Sequence, residues 1–204
     1  MGQGGGDVDE QKRATLRRFA ALGAASPFVG GASADDTGES DVRDAITGYL
    51  AATPGAHFSK LRDDLQLGTG ETQHHLRRLV DGGTVEVYRD GDYKRLYTAD
   101  QFSDFQKRAL GYLRRDTPRG MLVELLRDPE ATGASLAEAL GVSRPTVSKY
   151  AKELESAGLL SRDDGYQVER PETVLMLVVR YADSFDANAA RLAGEADALV
   201  RIER

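Results

Sequence analysis

From Val42 onward the apolar positions fall into a pattern that occurs twice. Val42, Ala45, Ile46, Tyr49 and Leu50 recur at spacings of three and four, which predicts a helix with one buried face, stopped by Pro54-Gly55. Leu61 and Leu65 mark a second, shorter helix, and Gly68-Thr69-Gly70 reads as the turn after it. Thr72, His75, Leu76 and Leu79 give the inner face of a third helix, closed by Gly82-Gly83. Val85 and Val87 then alternate inward as a strand. Asp90-Gly91 turns the chain into a second strand, Tyr93 to Tyr97, to make a hairpin.

The same unit returns further along. A fixed offset places Leu61 on Leu136, Leu65 on Leu140, Leu67 on Val142, Leu79 on Leu154, Gly83 on Gly158 and Val85 on Leu160. The match is of apolar and glycine positions more than of identities, so it speaks for a shared fold. In the second copy Ser135 and Glu138 read as a capping box, Gly141 breaks the helix and Val142 plugs the turn. Ser143 caps the next helix, Pro145 is tolerated in its first turn, and Val147, Tyr150, Ala151 and Leu154 face inward. Ala157-Gly158 ends it, Leu159-Leu160 starts a strand, and Asp164-Gly165 turns the chain into Tyr166-Gln167-Val168.

Between the copies, Phe102, Phe105, Ala109, Tyr112 and Leu113 predict an amphipathic helix, and Thr117-Pro118 opens another carrying Met121, Leu122, Leu125 and Leu126. At the C-terminal end Pro171 is expected to open one helix of about thirty residues. Its seam of Leu175, Val178, Ala182, Phe185, Ala189, Leu192, Ala196 and Leu199 has heptad spacing, which predicts pairing with a second chain, or folding back onto its own domain. Residues 1–40 are rich in Gly, Ala and Asp and are expected to be a disordered or weakly helical tail. Within them Arg17-Arg18, a weakly apolar run from Phe19 to Ala34 and Ala32-Ser33-Ala34 resemble a twin-arginine export signal. Ala20 stands where that signal wants a bulky residue, and Gly23, Pro27, Gly30 and Gly31 interrupt the run, so a retained segment and a cytoplasmic protein are expected. The run is too short and weakly apolar for a membrane span.

The stretch Leu136 to Leu160, LAEALGVSRPTVSKYAKELESAGLL, is similar to the helix-turn-helix of MarR- and ArsR-type winged-helix regulators. His57 to Tyr97 resembles winged-helix regulators of haloarchaea. Together these cover about residues 41 to 168. The resemblance implies a mainly α fold with small β-hairpin wings, as two winged helix-turn-helix domains, 41–100 and 101–170; the heptad seam adds a long C-terminal dimerisation helix, 171–204. The resemblance also implies a sequence-specific DNA-binding transcriptional regulator on a palindromic operator, with double-stranded DNA and a second copy of the chain as partners. A winged-helix protein-interaction module and an exported protein of the same fold are the alternatives.

In that fold the third helix of each copy enters the major groove, and its outward residues reach bases and phosphates. In the second domain these are Ser143, Arg144, Thr146, Ser148, Lys149 and Lys152. Arg144 is the candidate reader of guanine, through a bidentate fork. In the first domain they are Thr69, Gln73, His74, Arg77 and Arg78, with Gln73 suited to adenine and the arginines to phosphate. Glu71 lies among them and is mildly unfavourable near phosphate, unless it accepts from a cytosine amine. Arg89, Lys94 and Arg95 are expected to make the first wing basic, whereas Arg162-Asp163-Asp164-Gly165 makes the second acidic.

Composition adjusts this picture only slightly. The chain of 204 residues has a net charge of −6, unusual for a nucleic-acid binder. Its 20 Asp against 13 Glu, and 6 Lys against 21 Arg, resemble a haloarchaeal proteome. In molar salt, screening acts within ~3 Å, so net charge matters less than the placement of charges. Cysteine is absent and the three histidines are His57, His74 and His75, so no metal and no cofactor are expected. His74 and His75 are adjacent on a helix and point about 100° apart, which does not suit a shared metal. No phosphate-cradling glycine loop, HExxH or placed Ser/His/Asp set is found, so an enzyme is not expected.

Overall fold

A computed structural model describes residues 5–24 and 37–201. The chain divides into two compact units, residues 1–101 and 102–204. In the first, α1 (Gly5–Ala24) lies along α2 (Thr37–Ala52), followed by α3 (Phe58–Asp64), α4 (Thr69–Asp81) and a hairpin of β1 (Val85–Asp90) and β2 (Tyr93–Thr98). Ala45, Ile46, Tyr49 and Leu50 of α2 are buried against Leu61, Leu65, Leu79 and Val85, and the Tyr49 hydroxyl donates to Asp64 at 2.8 Å.

The N-terminal segment departs from the expected tail. α1 is a helix of 20 residues whose inner stripe joins the core: Leu16 is buried there, and Phe19 meets the Tyr49 ring edge-on at 5.2 Å. Lys12, Leu16 and Phe19 are spaced three and four apart, a periodicity too sparse to stand out against the surrounding Gly and Ala. Arg17 and Arg18 lie on its exposed face. The apolar run beyond Ala24 and the Ala32-Ser33-Ala34 site lie outside the described residues, among which no helix is long and apolar enough to cross a membrane.

β2 is bordered on one side by β1 and on the other by the Gly55–Ala56 segment, which exchanges backbone hydrogen bonds with Leu96 at 2.9 and 3.0 Å. Gly55 is obligatory there: φ is +77°, and a Cβ would lie 2.9 Å from the Tyr97 hydroxyl. Enclosed in this way, Arg95 through Thr98 are all buried. Val87, expected inside, is instead 45 % exposed, although its cross-strand partner Leu96 is buried.

The second unit comprises α5 (Asp104–Leu113), α6 (Asp116–Arg127), α7 (Gly133–Leu140), α8 (Arg144–Ser156), a short hairpin of β3 (Leu160–Ser161) and β4 (Gln167–Val168), α9 (Pro171–Arg180) and α10 (Ala187–Arg201). Thr132, not Ser135, caps α7, with Ser135 in the answering position. Ser143 caps α8 by accepting from the Thr146 N–H.

The single C-terminal helix is not formed. The chain leaves helical geometry at Tyr181, makes a 3-10 turn over Ala182–Ser184, and restarts when the Asp186 carboxylate accepts from the Ala189 N–H at 2.9 Å. α10 then packs back on α9 and α6. Val178, Ala189 and Leu192, which share the expected seam, are buried inside their own unit, while Leu175, Ala182, Phe185 and Ala196 are half-buried. The Leu199 side chain lies outside the described residues. Three arginines fasten the turn and helix. Arg114 donates to the Ser184 carbonyl (2.7 Å) and hydroxyl (2.9 Å), Arg119 forks onto Asp186 (2.7 and 2.9 Å), and Arg127 reaches Glu195 and Asn188.

Candidate nucleic-acid interface

Each unit presents one helix by its N-terminal end. In the second unit the turn before it is made by Gly141, at φ +63°, and by Val142, whose N–H donates to the Ala137 carbonyl. Val147, Ala151 and Leu154 anchor α8 in the core. That leaves Arg144, Ser148, Lys149 and Lys152 exposed on the opposite side. Its two acids are occupied: Glu153 pairs with Arg115, the residue before α6, at 2.7 Å, and Glu155 pairs with Arg162 of the hairpin at 2.7 Å.

In the first unit Thr72, His75 and Leu79 anchor α4, and Thr69, Gln73, His74, Arg77 and Arg78 are exposed. The left-handed turn residue is Gln66, at φ +55°, the counterpart of Gly141 under the internal repeat. The turn expected at Gly68-Thr69-Gly70 therefore lies two residues earlier, with Gly68 as the N-cap and Thr69 as the first helical residue. Lacking a side chain, Gly68 cannot cap the helix as Ser143 does. Its own N–H donates instead to the Glu71 carboxylate at 3.1 Å. Lys12 closes on the same carboxylate at 3.1 Å.

The family comparisons match two successive stretches of the chain. Residues 40–110 match a family model described as an N-terminal HTH domain, and residues 114–161 match one described as winged helix-turn-helix DNA-binding. The chain contains two helix-turn-helix domains. The chain is also similar, at 28 % identity over 129 residues, to an uncharacterized HTH-type transcriptional regulator of Methanocaldococcus jannaschii. That stretch is 63 % of this chain and 32 % of the relative. No solved structure matches the chain.

Within the two helix-turn-helix domains the structure sorts the residues expected to meet DNA. Thr69, Gln73, His74, Arg77 and Arg78 share the outer side of α4, and Arg89 and Lys94 are exposed cross-strand neighbours in the first wing. Arg95 is not at that wing's surface. It is fully buried, donates to the Gly55 carbonyl at 3.2 Å and lies 5.3 Å from the Tyr93 ring. Strand alternation assigns Arg95 to the face opposite Lys94, and that face is covered by Tyr97 and the Gly55 segment. Thr146 is half-buried, its hydroxyl 2.8 Å from that of Ser143, so these two residues close the start of α8. Arg144, Ser148, Lys149 and Lys152 remain the outward set.

Tyr93, 44 % exposed and 5.2 Å from the His57 ring, joins the first wing's surface. Among the described residues no group of three or more His, Asp or Glu is arranged to hold a metal. His75 is buried and His74 exposed, as side chains about 100° apart on α4 allow.

Proposed function

We propose that this protein is a sequence-specific, cytoplasmic DNA-binding transcription regulator, acting as a homodimer on a palindromic operator. The observation that carries the reading is the outer side of α8. There Arg144, Ser148, Lys149 and Lys152 are exposed, while Glu153 and Glu155 are each drawn into an ion pair. A helix presented by its N-terminal end, with cations outward and acids neutralised, suits the major groove. α4 repeats the arrangement with Gln73, Arg77 and Arg78, and the first wing adds Arg89 and Lys94.

Arg144 is assigned to base readout and Arg77, Arg78, Lys149 and Lys152 to phosphate. Selection of bound duplexes from a random library, followed by sequencing, tests this. Arg144→Ala is expected to relax one base position and weaken its preferred duplex by ~1–3 kcal/mol, whereas Lys152→Ala weakens all sequences alike. A uniform loss from Arg144→Ala would remove it from base readout, and no enrichment of any sequence would overturn the regulator reading.

The dimer needs a surface other than the expected seam. α9 leaves Met176 (51 %) and Val179 (39 %) exposed, between Glu172 and Arg180. An antiparallel α9 pair about a two-fold axis near Met176 sets each Glu172 against the other copy's Arg180, so the stripe is complementary to itself.

A further inference from the structure

We propose that Lys12 is a positioning residue for DNA binding: by holding and neutralising Glu71, it makes the capped end of α4 acceptable to a phosphate backbone. The inference rests on the reading of α4 as the groove-facing helix of the first domain.

Comparison of the two domains motivates it. In the second, Ser143 and Thr146 close the start of α8 with neutral hydroxyls. The internal repeat sets Gly68 and Glu71 at those two places in α4. A glycine N-cap leaves the capping to the third residue, and Glu71 does it with a carboxylate. A carboxylate suits a helix N-terminus, but it also puts a full negative charge at the end of the helix that must approach DNA. Lys12, brought by α1, spans both carboxylate oxygens at 3.1 and 3.2 Å. Burial raises the Glu71 pKa, but the Gly68 N–H, Lys12 and the charge of His75 outweigh it and hold the carboxyl below its ordinary value. Glu71 therefore stays charged and needs a counter-charge.

The second domain, with neutral hydroxyls there, needs no counter-charge at that position. The same device recurs there at Glu153, the next acid along the groove-facing helix, where Arg115 supplies the neutralising charge. α1 is thus more than a core strut: its inner stripe is anchored by Leu16 and Phe19, and Lys12, one turn before Leu16, delivers charge to α4.

The test is fluorescence anisotropy on a labelled mixed-sequence duplex of about 30 base pairs, titrated over a range of salt. Lys12→Gln should weaken binding about fivefold, the effect of one unscreened charge a few ångströms from a phosphate. Its slope of log affinity against log salt should become shallower by about one. Lys12→Arg should bind as wild type. Glu71→Gln keeps an oxygen for the Gly68 N–H and should bind at least as tightly as wild type. Lys12→Gln with Glu71→Gln restores the wild-type charge at this end of α4 and should match wild type in both affinity and slope.

If the double variant binds as weakly as Lys12→Gln itself, so that removing Glu71 rescues nothing, Lys12 acts on its own and the proposal is wrong. A wild-type response from Lys12→Gln, or a loss from Lys12→Arg or Glu71→Gln, overturns it as well. Arg77→Ala separates the two layers of the argument. If it binds as wild type, the α4 reading itself fails; if it weakens while Lys12→Gln does not, only the present inference falls.

Discussion

Arg95 is enclosed by Gly55, Tyr93 and Tyr97, so its removal takes a donor from a buried carbonyl and leaves a cavity beneath the hairpin. Arg95→Ala is expected to destabilise the first domain by ~2–4 kcal/mol. Arg89→Ala and Lys94→Ala, at exposed positions, should move stability by less than about 0.5 kcal/mol while weakening DNA binding. Urea unfolding beside the anisotropy titration separates the two kinds of arginine, and an Arg95→Ala variant as stable as wild type would return Arg95 to the surface. The sequence could not make that distinction. Arg89, Lys94 and Arg95 are alike as letters, and burial depends on the Gly55–Ala56 segment joining β2 from forty residues away. Positions governed by local backbone were easier to read. Gly83 and Gly158, paired by the repeat, share φ values of +69° and +68°. Gln66 shows the limit, since it takes the left-handed place that glycine fills at Gly141, at a conformational cost of about 1 kcal/mol that no pattern of letters announces.

Helices two to four of the first unit and five to eight of the second follow from apolar periodicity, because each buries a single stripe against its neighbours. The C-terminal segment shows where periodicity fails. Val178, Ala189 and Leu192 keep heptad spacing, yet they face one interior from two helices joined by a turn. The turn is set by Asp186, which caps α10 and receives the Arg119 fork. Burial raises the Asp186 pKa, but the Ala189 N–H and Arg119 outweigh it, so its carboxyl sits below the ordinary value. A depressed carboxylate stabilises the fold above its unfolded-state pKa, and the contribution is lost as pH falls through the folded value. Asp186→Asn should therefore lower the midpoint of thermal unfolding at neutral pH, and the gap to wild type should close on acidification through the carboxylate range. A gap that stays constant with pH would show that the asparagine disturbs packing rather than the ion pair.

At the scale of the whole molecule, assembly turns on which apolar residues are left for a partner. Leu192 is fully buried and Phe185 half-buried, and the Phe185 ring is already covered by the Arg114 guanidinium at 4.4 Å. Charged residues there would unfold the second domain without testing association. Met176 and Val179 differ: they stand three apart on one side of α9 and protrude from it. Two such stripes alone bury little surface, so the flanking Glu172 and Arg180 have to set the antiparallel register. Met176→Asp together with Val179→Asp should then yield a monomer with the helical content and unfolding midpoint of wild type, by light scattering and circular dichroism. Reversing one charge, Arg180→Glu, should weaken the dimer, and adding Glu172→Arg should restore it, since the two-fold axis turns both new contacts favourable again. On DNA the dimer predicts half-sites ~10–10.5 base pairs apart, or a multiple of that, and the monomeric variant should bind a single half-site normally but lose the gain from the second. If the aspartate pair remains dimeric, α9 is not the interface; if wild type is itself monomeric, the operator has no reason to be a palindrome.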